Sequence, residues 1–143
     1  MITPELVFNV GNTAVLPVWL LMLFAPRWRY TQMLVNSYAV VLLLAVMYTV
    51  IAFTFIGTIA EADFMRLQGI KNLFLSAGKH DYFVTAAWFH YLAFDLVVGT
   101  HIFREGQRLQ ISHLLLVPCL LFTFMLGPFG FLLFYVVRGF LRK

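Results

Sequence analysis

Long apolar runs constrain this chain more than any other feature. Residues 6–25, 33–60, 82–103 and 111–140 are each predominantly apolar. A bilayer's hydrocarbon core is ~30 Å thick, and ~20 apolar residues in helical form cross it. A helix also satisfies its own backbone polar groups there, which an open strand cannot. The hydrophobic fraction is 62% and the charged fraction 11%, whereas soluble domains hold roughly 45–50% and 25%. A chain of 143 residues is one domain long, too short to hide such runs from water. The expectation is a single all-α, polytopic membrane domain: a bundle of about four transmembrane helices.

The first run stops at Pro26 and is followed by Arg27-Trp28-Arg29, an aromatic and basic belt suited to headgroups. Pro17 predicts a kink, because its ring excludes the helical bond to the Thr13 carbonyl. The second run, at ~1.5 Å per residue, exceeds the core and must tilt or protrude. The fourth is also over-long. Pro118 and Gly127-Pro128-Phe129-Gly130 interrupt it, so it is either one kinked span or two half-spans. Between runs two and three, Phe64, Leu67, Ile70 or Lys71, and Phe74 fall at helical spacing. That pattern suits a short interfacial helix, with an ordered loop as the alternative. Four crossings would put both termini on one side and leave basic clusters on both faces. The positive-inside rule then gives no orientation.

The net charge of +4 comes from short basic clusters beside the apolar runs. These read as headgroup anchors and exclude a nucleic-acid surface. The one cysteine, Cys119, excludes an internal disulfide. No Lys or Arg precedes the first run and no small-residue cleavage site follows it, so neither a signal peptide nor an organelle transit segment is expected.

Polar side chains inside apolar runs are costly and face a bundle interior, where they often mark function. Asp95 is the leading candidate. Ionised, it needs a partner; neutral, it is an acid or a hydrogen-bonded tie between helices. His90 is second, as a base or as an interhelical hydrogen bond. The two are five residues apart, ~140° around a helix. They cannot both point at one small centre, but they can flank an elongated ligand. Glu5, Asn9 and Asn12 share one face of the first span, as a ligand pocket or as amide contacts between helices. Counting rises places Asn12, Tyr48 and His90 in one layer, with Asp95 deeper and Cys119 near its depth. Trp88 and Tyr91, beside His90, join Asn9, Asn12 and Tyr48 as expected ligand contacts. His101 and His113 lie near the third turn with Arg104, Glu105 and Arg108, and match no strong metal motif. His80 reads as a loop residue. A haem needs two histidines at matched depth on facing helices, a pattern absent from this sequence. No cofactor is therefore expected.

Three segments together resemble a known family. They are residues 12–28 (NTAVLPVWLLMLFAPRW), residues 88–99 (WFHYLAFDLVVG) and residues 127–130 (GPFG). In order and length they resemble the "abscisic acid deficient 4"-like membrane family, whose plant members are required for making neoxanthin. The resemblance implies four helices and a role in carotenoid metabolism. It implies an isomerisation of an epoxide end group to an allenic one, with no net redox change. Such chemistry needs an acid at the epoxide oxygen and a base at a ring-adjacent carbon. Asp95 and His90 are the expected pair, with Asn12 orienting them. The alternative is a non-catalytic subunit that holds a carotenoid, a quinone or a partner protein. A transporter or channel is disfavoured by the single buried charge. Plant members carry a transit segment, so the expected location is a bacterial inner membrane, or a thylakoid or plastid membrane in a photosynthetic cell. The expected partners are the bilayer and a carotenoid or other isoprenoid. Gly57, Gly99, Gly127 and Gly130 permit close helix contacts within the chain or in a homo-oligomer.

Overall fold

The computed structural model describes residues 3–141, and these form eight helices and no strand. They are α1 (Pro4–Phe24), α2 (Arg29–Ser37), α3 (Ala39–Thr54), α4 (Ile56–Ala60), α5 (Leu67–Ala77), α6 (Asp81–Arg108), α7 (His113–Leu126) and α8 (Pro128–Leu141). Three stretches are long and apolar enough to cross a membrane: α1, α2 and α3 taken together, and α6. The protein is an all-helical integral membrane protein.

Local chemistry sets the helix ends. Thr3 caps α1 by accepting from the Leu6 amide at 3.2 Å, with Pro4 and Glu5 in the first turn, where a missing N–H and a negative charge are both favourable. The orphan carbonyls at its far end find side-chain donors. Thr31 donates to the Ala25 carbonyl at 2.7 Å. The Gln32 and Gln107 amides both donate to the Pro26 carbonyl, at 2.7 and 3.2 Å. His113 Nε2 pairs with the Leu23 carbonyl at 2.9 Å. One end of α1 is thus tied to α2, α6 and α7. Both α1 and α7 run through their internal prolines, Pro17 and Pro118.

The second expected run is one crossing with a break at Tyr38, whose φ is +53°. Arg104 donates to the Tyr38 hydroxyl at 2.9 Å across the helix interface. The amphipathic segment between the second and third runs is a helix, α5, with Leu73 and Ala77 buried. They pack with Phe83 in a small apolar cluster of their own.

The central element is α6, which packs against α1, α3, α7 and α8. Small residues admit this crowding, as they do in membrane bundles generally. The Phe89 ring lies against Gly11, and the Trp19 ring lies against Gly99. No such neighbour touches Gly57. Residue pairs fix the directions. Asn12 with Trp88 and Trp19 with Gly99 make α1 parallel to α6. Gln32 with Gln107 and Tyr48 with His90 make the α2–α3 crossing antiparallel to it.

The expected fourth run, 111–140, is not one helix. Gly127 stands between α7 and α8 at φ +53°, ψ −100°, a conformation that essentially only glycine adopts. The chain reverses there. Gly130 of α8 lies against Thr123 and the Cys119 carbonyl of α7. Further along, the Phe134 ring is 6.4 Å from His101, and Arg138 Nη1 is 3.6 Å from Glu105. So α7 runs down α6 from Gly106 to Asp95, and α8 runs back from Asp95 to Glu105. Of the two readings of the fourth run, two half-length helices rather than one kinked span describe it, and the described ends of the chain lie at opposite ends of α6. Pro128 cannot extend α7, and Gly127 alone accepts the turn.

Candidate functional site

The expected polar layer is divided by α6 into two faces. On one, Tyr48 of α3 and His90 of α6 meet with ring centroids 5.3 Å apart. Phe94, one turn beyond His90, packs on its imidazole at 4.7 Å. These two polar rings stand on the wall of a cavity of about 360 Å³. Its remaining lining is apolar: Ala52 of α3, Ile70, Leu73 and Phe74 of α5, and Phe83, Ala86 and Ala87 of α6, among others. The helix α5 covers this cavity at the loop end of the bundle. An apolar chamber with a few convergent polar groups is the usual form of a small-molecule site.

The other face carries Asn12, Trp88, Tyr91 and Asp95. Trp88 Nε1 donates to Asn12 Oδ1 at 3.1 Å. Its ring stacks on Tyr91 at 5.4 Å and touches Phe8 at 6.3 Å. The Tyr91 hydroxyl interacts with the Asp95 carboxyl one turn on. Asp95 is 8% exposed, and its Oδ2 has no hydrogen-bond partner among the described residues. Its Oδ1 lies 2.6 Å from the point where a Cβ on Gly127 would stand. The residue that reaches Asp95 from the C-terminal region is therefore Gly127, not Cys119. Cys119 is buried nearer the start of the hairpin, with its thiol on the Leu115 carbonyl at 3.3 Å. Asn9 lies apart, in a shallow groove with Glu5, Phe8, Asp81, Val84 and Thr85.

Of the seven expected site residues, His90 and Tyr48 come together in the cavity. Asn12, Trp88, Tyr91 and Asp95 form a separate contact chain on the far face. The α5 side chains of the cavity were missed as site residues. The interfacial helix was expected, but the pocket beneath it depends on how that helix docks. His101 lies with Tyr38, Arg104, Glu105 and Arg108 around a polar cavity. His80 packs on Phe55 at 5.7 Å. Among the described residues, no three His, Cys, Asp or Glu side chains gather closely enough to hold a metal ion.

Comparison with known proteins adds a family. The model of the family described as ABA DEFICIENT 4-like matches residues 6–134. Among curated proteins, "Protein ABA DEFICIENT 4, chloroplastic" of Arabidopsis thaliana is 29% identical over 145 residues, covering 96% of this chain. The chain spans 62% of that relative's length. No solved structure matches.

Proposed function

The chain belongs to the ABA DEFICIENT 4-like family, and from that premise we propose that it is a membrane-embedded protein of carotenoid metabolism. The supporting observation is the α3–α5–α6 cavity, apolar except for one imidazole and one phenol. An isoprenoid end ring suits such a chamber, with its oxygen at the polar wall and its polyene running into the bilayer. The epoxide-to-allene isomerisation needs two proton transfers. A base takes a proton from the polyene carbon next to the ring, and that electron pair forms the new double bond. The ring carbon–oxygen bond then breaks, and the oxygen takes up a proton. Atoms and electrons balance with no redox partner. In this reading His90 is the base and the Tyr48 hydroxyl supplies the proton at oxygen. Asp95 does not line the cavity, so it is kept as the rival candidate. The chloroplast location in the relative's name favours a photosynthetic membrane over a bacterial inner one.

The test is conversion of an epoxy-carotenoid by the purified protein in lipid, with products separated by chromatography. Wild type yields the allenic isomer. His90→Ala loses on the order of a hundredfold or more in rate, the usual weight of a general acid or base, and Tyr48→Phe loses activity with it. Full conversion by both variants removes these two roles. Loss confined to Asp95→Asn moves the chemistry to the other face of α6. A bound polyene spectrum without turnover makes the protein a carotenoid holder instead.

A further inference from the structure

The hairpin of α7 and α8 decides which ends of the molecule share a membrane face. Asp95 lies near the midpoint of α6, whose 28 residues cross the bilayer. The turn at Gly127 stands beside Asp95, so it reaches mid-bilayer and no further. Each arm has 14 residues and spans ~21 Å, short of the ~30 Å core. The second arm ends beside Glu105, where the first began. We propose that the hairpin enters and leaves at one face, and that this face binds the headgroups of anionic lipids.

Charge carries the second half of the proposal. With α8 returned, the described residues of that face include Arg27, Arg29, Arg104, Arg108 and Arg138, against the carboxylate of Glu105. The opposite face has Arg66, Lys71 and Lys79, against Glu5, Glu61, Asp63 and Asp81. One face is thus strongly basic and the other close to neutral. Such an imbalance turns the basic face toward the negatively charged side of the membrane, where anionic headgroups attract it. A seat for a headgroup is present. A cavity of about 570 Å³ opens there between the end of α1 and the start of α7. Arg27, Gln110 and Ser112 line it, offering a guanidinium, an amide and a hydroxyl to a phosphate. Arg27 and Arg29 are exposed, and among the described residues no ion pair holds either of them.

Two measurements test this. The first is topology, read by a membrane-impermeant thiol reagent on sealed vesicles in a Cys119→Ala background. Gln110→Cys and Gly139→Cys should label from one side, and Gln68→Cys from the other. Labelling of Gly139→Cys from the side opposite Gln110→Cys would show that α8 crosses, and would overturn the proposal. The second measurement is lipid binding in nanodiscs of phosphatidylcholine, with and without phosphatidylglycerol. Phosphatidylglycerol should raise the melting temperature and remain bound in native mass spectrometry. R27Q/R29Q should weaken that retention on the order of tenfold, with the labelling pattern unchanged. Equal stability in both lipids overturns the headgroup assignment. Equal stabilisation by inorganic phosphate overturns it too, by making the occupant a soluble anion.

Discussion

Replacing Gly127 by alanine should be among the most damaging single changes in the molecule, although it adds one methyl group. Two separate costs combine. A positive φ costs an L-residue roughly 1–2 kcal/mol even in the left-handed helical well. At φ +53° and ψ −100° Gly127 lies outside that well, so the torsional cost is about 2 kcal/mol. The new Cβ would also stand 2.6 Å from Asp95 Oδ1, and relieving such overpacking costs about 1–3 kcal/mol. The sum is about 3–5 kcal/mol. The two parts can be separated. Asp95→Ala removes the clashing oxygen but leaves the dihedral angle, so Asp95→Ala/Gly127→Ala should show a coupling of about 1–3 kcal/mol relative to the single variants. Reversible unfolding in mixed detergent micelles, followed by fluorescence of Trp19 and Trp88, measures all four proteins. A Gly127→Ala protein within about 0.5 kcal/mol of wild type would refute the reversed turn. Additivity of the two changes would refute the contact between Asp95 and the hairpin tip.

Ala87→Phe should fill the α3–α5–α6 cavity and abolish retention of a polyene ligand while the protein stays folded; unchanged absorption of bound ligand would place the site elsewhere. Gln107→Leu removes donors to the Pro26 carbonyl and a partner of Gln32, and should cost about 1–2 kcal/mol in the same unfolding assay.

The membrane assignment and the helical class were legible because they depend on run length, which needs no tertiary information. The interfacial α5 was legible from the spacing of Phe64, Leu67, Ile70 and Phe74 for the same reason. Counting rises along antiparallel spans put Tyr48 in the layer of His90 and Asn12; that its ring meets His90 and not Asn12 depends on packing. The hairpin was harder. Gly127-Pro128 announces an interruption, but a kink and a reversal look alike in sequence. What separates them is packing between Gly130 and the Cys119–Thr123 turn, eleven to seven residues back, and periodicity carries no sign of that. Cys119 stops short of the depth of Asp95 because it lies only six residues beyond the start of α7, whereas Gly127 at the end of that helix reaches Asp95. The split of the polar residues into two faces was half visible. The ~140° between His90 and Asp95 separated them, but only the position of α5 shows which face holds a cavity.

The half-depth hairpin also gives the molecule an uneven profile in the membrane. On the basic side of Gly127, α1, the α2–α3 crossing, α6, α7 and α8 lie side by side; beyond it α1, α3 and α6 continue, with α4 and α5 at the loop end. Beyond the hairpin tip, lipid chains must fill the missing volume beside Trp88 and Tyr91, both substantially exposed. Acyl chains shorten or tilt to fit there.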